Sequence, residues 1–149
     1  SRCRCTPNEV RRYHGKLSGP LLDRFDLTVE MPAVDPAELS SAAAGEASSR
    51  VRDRVQAARE RQRSRFGGSG PACNARMVRS ELERHAALSR APMRLLVDAC
   101  RRLGLTARGY DRVRRVARTL ADLDACESIV DRHVAEAVQY RRVLNPPPA

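Results

Sequence analysis

The sequence places arginines in two settings where a guanidinium could do chemistry. The first is Arg24, which follows a leucine-rich turn and is flanked by Asp23 and Asp26. A guanidinium is a permanently charged planar fork that can bridge phosphate oxygens. Two interpretations follow: Arg24 forms a local salt-bridge cluster with the two carboxylates, or it is a functional arginine that binds an anion.

The second setting is Arg108, which follows Thr106, a residue type that often caps a helix. In the first turn of a helix, free N–H groups and the helix dipole add to the charge of an arginine, which suits an anion. Arg112 and Arg115 follow at i+4 and i+7, so they would share a helix face with Arg108. The alternative is therefore that Arg108 belongs to a solvated basic face.

The cysteine spacing gives little support for a metal site. Cys3 and Cys5 form a Cys-x-Cys pair, which is half of a possible four-sulfur site. Two ligands would leave a Zn²⁺ ion incompletely coordinated, so we expect no bound metal. The remaining cysteines have no compact framework, and we expect small buried or incidental thiols without a structural disulfide at Cys73, Cys100 and Cys126.

Positive charge is concentrated in one region of the 149-residue chain. The formal net charge is +10, and residues 48–142 hold 22 arginines against 11 acidic residues. Such a domain attracts polyanions in a salt-dependent way. One hypothesis is a stand-alone basic helical module that binds nucleic acid through Arg112, Arg114, Arg115 and Arg118. The other is that the arginines, with abundant Ala and Val, reflect a GC-rich genome.

The first third of the chain predicts one short strand. From Pro20 the sequence begins like a helical turn, and then apolar and polar residues alternate over 25–31, which is the period of a half-buried strand. Pro32 and Pro36 would end this strand. The Ala/Ser-rich residues 37–47 predict a linker.

The rest of the chain has the periodicity of five helices, so the predicted fold class is mainly α, a small α-helical bundle. Ser48 or Ser49 would cap the first helix, which covers about 49–65. Asn74 would cap the second helix, Ser89 and Gly104 would limit the third, and Thr106 would cap the fourth. The fifth helix would cover about 127–142. The fourth helix would bury Val113, Val116, Ala117, Leu120 and Leu123, and the fifth Ile129, Val130, Val134, Ala137 and Val138.

Two segments carry a family resemblance. SGPLLDRFDLTVEMP, residues 18–32, resembles the segment of Mg-chelatase-like AAA+ ATPases and the related MCM helicases that contains the arginine finger. Arg24 is the matching position. GLTARGYDRVRRVARTLADLDA, residues 104–125, resembles the sensor 2 motif of the same family, whose arginine contacts nucleotide phosphate, and Arg108 is the matching position.

Further matches extend the resemblance over nearly the whole chain and indicate the ComM (YifB-type) branch of that family. They are CRCTPNEVRRY at residues 3–13, Val55 to Arg59 with Gln62, Asn74 with Ala75, and HVAEAVQYR at residues 133–141. The resemblance implies that residues 1–36 are the end of the AAA+ core and 37–47 a linker. It implies a helical lid over 48–142, and the proline run from Pro146 to Pro148 predicts a disordered tail over 143–149.

The resemblance also implies a hexameric ring that uses ATP and Mg²⁺, acts in DNA processing and depends on neighbouring subunits. The sequence has no Gly-x-x-x-x-Gly-Lys-Ser/Thr loop, and Lys16 is its one lysine. We therefore expect a C-terminal fragment that lacks the Walker A and Walker B motifs, binds no cofactor and is inactive without the AAA+ core. Its first part could be disordered, because its strand would lack sheet partners.

The sequence also predicts where the protein is located and leaves a third hypothesis for its function. The sequence opens with no signal peptide and has no apolar run near the ~20 residues of a membrane span, so we expect a cytoplasmic protein without a membrane partner. A third possibility for its function is a structural oligomerisation segment that does not respond to nucleotide.

Overall fold

The computed structural model describes residues 4–35, 45–68 and 70–142. Over these ranges the chain forms seven α-helices, one 3₁₀ turn and no β-strand, which confirms the predicted helical bundle. The elements are α1 Pro7–His14, α2 Gly19–Leu22, α3 Ser48–Phe66, the 3₁₀ turn Asn74–Arg76, α4 Arg79–His85, α5 Arg90–Leu103, α6 Ala107–Leu123 and α7 Asp131–Arg142. Cys3, Pro36, residues 37–44 of the predicted linker and the predicted tail over 143–149 lie outside the described residues.

Helix α6 lies at the centre of the bundle. It packs against α3, α4, α7 and the 3₁₀ turn, while α5 packs against α7. Ala117 and Ala121 of α6 have no exposed surface, and their small side chains let neighbouring helices approach closely. The larger members of the core are Met77, Leu82, Leu96, Val113, Ile129 and Val134.

Two predicted helix ends are confirmed. Gly104 adopts a left-handed conformation with φ of 60° immediately after α5, where a Cβ would be strained. Thr106 precedes α6, and its hydroxyl accepts a hydrogen bond from the N–H of Gly109 at 3.0 Å. These ends fix the turn between α5 and α6, and so they fix the position of Arg108 in the first turn of α6.

Ser89 immediately precedes α5, as predicted, although its side chain makes no capping hydrogen bond. The remaining predicted caps are wrong. Helix α3 begins at Ser48 after Ala47, so the serines lie in its first turn and do not cap it. Asn74 does not cap α4, because its side chain is buried against α6. Helix α7 begins only at Asp131, and of the residues before it Ile129 is buried whereas Val130 is 39% exposed.

The predicted strand over residues 25–31 does not form. A strand needs a neighbour for its backbone hydrogen bonds, and in the described part of the chain no second strand pairs with it. Among the residues that the structure describes, Thr28 is the only member of this segment with a backbone–backbone hydrogen bond to a distant element, donating its N–H to the carbonyl of Tyr140 in α7 at 2.9 Å. The apolar residues of the alternation stay exposed: Phe25, Leu27, Val29 and Met31.

No helix in the described ranges has the length and apolar character that crossing a membrane requires.

Candidate functional site

Arg24 lies just after α2 and is exposed. Its backbone N–H donates to the carbonyl of Leu21 at 2.9 Å. Its guanidinium makes no hydrogen bond or ion pair with any residue that the structure describes. The interpretation of a local salt-bridge cluster is therefore wrong, because Asp23 and Asp26 are both paired with other arginines.

Asp23 is held by the helical bundle. One carboxylate oxygen lies 3.2 Å from Nη2 of Arg141 in α7, and the other accepts a hydrogen bond from the hydroxyl of Thr106 at 2.8 Å. The side chain of Arg141 is only 1% exposed, and Arg141 also donates to the carbonyl of Phe25. Burial lowers the pKa of Arg141 from its ordinary value, and the charge of Asp23 opposes this effect. The carboxylate thus neutralises a buried guanidinium, as a buried charge requires.

Asp26 makes the second link between this region and the bundle. Its carboxylate forms an ion pair with Arg112, which lies one turn after Arg108 in α6. The Arg112 side chain is 18% exposed and that of Asp26 is 46% exposed. We call residues 23–28 the docked segment, because Asp23, Asp26 and Thr28 each bind α6, α7 or the residue that caps α6.

Arg108 is exposed in the first turn of α6 and lines an open cleft of about 560 Å³. Across the described residues its guanidinium has no hydrogen bond or ion pair. Four arginines and a single carboxylate share this cleft, so its field is positive, and the N-terminus of α6 adds to it. The cleft is lined by Ala75, Arg76, Met77, Ala107, Arg108, Asp111, Arg112 and Arg115. This arrangement can bind an anion with several negative oxygens.

The four arginines of the nucleic-acid hypothesis do not form one solvent face. Arg114 is 7% exposed and donates to the carbonyls of Leu82 and Ala86, and Arg118 is 3% exposed and donates to those of Cys126 and Glu127. Arg115 donates twice to the carbonyl of Met77, and Arg112 pairs with Asp26. These guanidiniums therefore satisfy backbone carbonyls and a carboxylate inside the fold.

Sequence reasoning missed a buried polar network around Asp122 in α6. Its fully buried carboxylate accepts bonds from Arg65 of α3 at 2.9 Å and from the Asn74 side chain at 2.8 Å, and it lies 3.1 Å from Nη2 of Arg118. The amide of Asn74 also reaches Thr119 at 3.1 Å. The available signal was a carboxylate four residues after Arg118, between apolar positions of α6. The network joins α3 and the 3₁₀ turn to α6.

No group of three or more metal-binding side chains occurs in the part of the chain that the structure describes. Cys5 is exposed. The other three described cysteines are free thiols of intermediate exposure, and burial raises the pKa of Cys100.

Family comparison matches two family models to successive parts of the chain. Residues 45–141 match the family of the magnesium chelatase subunit ChlI C-terminal domain, and residues 1–39 match the family of magnesium chelatase subunit ChlI. The first match covers α3 to α7 except for the last residue of α7, and the second includes the whole segment 18–32 that carries Arg24.

Individual relatives match over nearly the whole chain. Protein YifB of Salmonella typhimurium is 43% identical over 141 residues, which is 94% of this chain. Competence protein ComM of Haemophilus influenzae is 39% identical over 142 residues, or 95% of this chain, and protein Mb2921c of Mycobacterium bovis is 44% identical over 140 residues, or 94%. The chain spans only 27% to 28% of the length of these relatives.

Proposed function

The chain belongs to the magnesium chelatase ChlI family, as its motifs predict, and we propose that it is the nucleotide-responsive part of an AAA+ ATPase. In this proposal residues 1–36 complete the ATPase core and residues 48–142 form its helical lid. The remainder of the parent protein holds ATP and Mg²⁺. Binding and hydrolysis of ATP move the lid and so drive motion of a ring of subunits.

One observation carries the proposal: the two arginines that match the family's nucleotide-contacting positions are exposed and unpaired among the described residues. Arg24 lies between two carboxylates that are both engaged elsewhere. Arg108 faces a cleft that is rich in arginine. Arg114 and Arg118 instead use their donors inside the fold, and other exposed arginines, such as Arg94, do not hold a position that the family motifs mark. Two free guanidiniums therefore fit a ligand with negative charge.

The proposed roles of the two arginines differ. Arg24 acts as an arginine finger, which stabilises the charge that develops on the γ-phosphate in the ATP site of a neighbouring subunit. Arg108 acts as the sensor 2 arginine, which binds nucleotide phosphate at the start of a lid helix. Contact of ATP with Arg108 draws the lid toward the core, and loss of the γ-phosphate releases it.

The Arg24→Ala variant of the full-length parent protein tests the proposal. We expect ATP turnover to fall by roughly 10³-fold or more, since arginine fingers contribute about that much in phosphoryl transfer. ATP binding should remain, because the nucleotide is held mainly by the rest of the protein. Turnover and equilibrium nucleotide binding would be measured on the same preparation.

Arg94→Ala is the matched control, because Arg94 is an exposed arginine of α5 that holds neither of the two family positions. It should leave turnover unchanged. Normal turnover in the Arg24→Ala protein would refute the role of Arg24 as a finger.

We also propose that the ring acts on DNA. The positive charge of residues 48–142 and the similarity to a relative named as a competence protein support this substrate class. Titration of the isolated chain with duplex DNA at two salt concentrations separates this proposal from a stand-alone nucleic-acid-binding module. Submicromolar binding with a steep salt dependence would favour the module, and weak binding would favour the lid.

A further inference from the structure

The docked segment physically connects Arg24 to the helix that carries Arg108. Arg24 lies between Asp23, which binds Arg141 and Thr106, and Asp26, which binds Arg112. Thr106 and Arg112 lie on either side of Arg108, as the cap of α6 and one turn further along it. Asp23 and Asp26, which flank Arg24, therefore both bind residues at the start of α6, the helix that carries Arg108.

We propose that Asp23 and Asp26 are positioning residues that fix Arg24 to the start of α6, so that a nucleotide bound at Arg108 sets the position of Arg24. This inference rests on the proposed function of the two arginines. A displacement of α6 would carry Thr106 and Arg112 with it, and their carboxylate partners would move Arg24. The nucleotide state sensed by the lid is thereby passed to the finger within one chain.

The burial of the partners supports a fixed link. Arg141 is almost fully buried and donates both to the carboxylate of Asp23 and to the carbonyl of Phe25, so one guanidinium holds the residues on either side of Arg24. The N–H of Thr28 is bound by Tyr140, which closes the far end of the segment. The side chain of Arg24 takes part in none of these contacts, so it stays free to bind a phosphate.

Asp26 is the better position for a test. Removing Asp23 would leave the buried charge of Arg141 without its carboxylate and could destabilise the whole fold. Asp26 is half exposed, and its partner Arg112 reaches the surface, so the Asp26→Asn protein should still fold. Asp26→Glu keeps the charge and serves as the conservative variant.

The experiment measures hydrogen exchange and ATP turnover in the full-length parent protein. In the Asp26→Asn variant we expect the amide of Thr28 to exchange at least tenfold faster, because the segment opens more often. Turnover should fall at least tenfold and its cooperativity with respect to ATP should decrease, while the Kd for ATP stays within twofold. The Asp26→Glu variant should have Thr28 exchange, ATP turnover and cooperativity close to the wild-type values.

Asp98→Asn is the matched control, because Asp98 forms an exposed ion pair with Arg101 in α5, away from the docked segment. The Asp98→Asn variant should change neither the exchange of the Thr28 amide nor ATP turnover. Unchanged Thr28 exchange in the Asp26→Asn protein would overturn the anchoring role. Faster exchange with normal turnover and cooperativity would overturn the coupling alone. Normal turnover in Arg24→Ala would instead refute the proposed function, and the coupling with it.

Discussion

At the scale of single residues, the structure separates arginines that serve the fold from arginines that are available to a ligand. Asp122 shows the first kind of pairing. Its carboxylate has no exposed surface and lies between the guanidiniums of Arg65 and Arg118. Two arginine partners and an amide fully satisfy this buried carboxylate. Its removal would leave the guanidinium charges inside the protein without a counter-charge.

We expect the Asp122→Ala variant to be destabilised by about 3–5 kcal/mol, the usual effect of breaking a buried ion pair from one side. The free energy of unfolding by urea, followed by circular dichroism, would measure this loss.

Asp98→Ala provides the comparison, since its pair with Arg101 is exposed and such pairs contribute about 0–1 kcal/mol. Equal and small losses in the two variants would contradict the role of Asp122.

The sequence predicted which residues to examine better than it predicted their partners. It identified Arg24 and Arg108 from motif positions, and both prove to be exposed. It grouped Arg114 and Arg118 with Arg112 and Arg115 as one basic surface, although the first two are buried. Charge alone does not show whether an arginine finds a backbone carbonyl within the fold, because that depends on helix ends that are distant in sequence, such as the end of α4.

At the scale of elements, the start of α6 holds the candidate site together. The hydroxyl of Thr106 accepts the N–H of Gly109 and donates to the carboxylate of Asp23. One side chain therefore both caps the helix and binds the docked segment. The helix begins where Arg108 can present its charge together with the free N–H groups of the first turn.

The Thr106→Ala variant should lose about 1 kcal/mol of stability, because replacing a capping Thr by Ala typically costs that much. It should also speed hydrogen exchange of the Thr28 amide, since Asp23 loses a partner. Thermal unfolding and exchange of the same protein would measure both effects.

Thr106→Ser retains the hydroxyl and should lose little. A Thr106→Ala protein with wild-type stability and exchange would show that the cap does not hold the docked segment.

Helices α5, α6 and α7 could be predicted from sequence because each buries a stripe with helical period, as Val113 and Ala117 do in α6. The turn from Gly104 to Thr106 was also predictable, because both residues have strong local preferences at helix ends. That residues 25–31 form no strand was not predictable, because their alternation gives no information about whether a pairing strand is present. Asn74 was misassigned because the same side chain that can cap a helix can also bind a buried carboxylate.

At the scale of the whole molecule, the described residues form a bundle with a positive cleft at the start of its central helix. The Asp122 network holds α3 and the 3₁₀ turn on one side of α6, and the docked segment is bound by α6 and α7. A rigid bundle can transmit a contact at the cleft to another part of a larger assembly, because packed cores move as units. This property is what the proposed lid requires.

The central claim is that Arg24 and Arg108 meet nucleotide phosphate in the assembled parent protein. A cryo-electron microscopy structure of the full-length parent protein with a slowly hydrolysed ATP analogue measures this directly. We expect both guanidiniums within hydrogen-bond distance, roughly 2.7–3.2 Å, of a phosphate oxygen. A ring in which either side chain points away from the phosphates in every nucleotide state would contradict the claim.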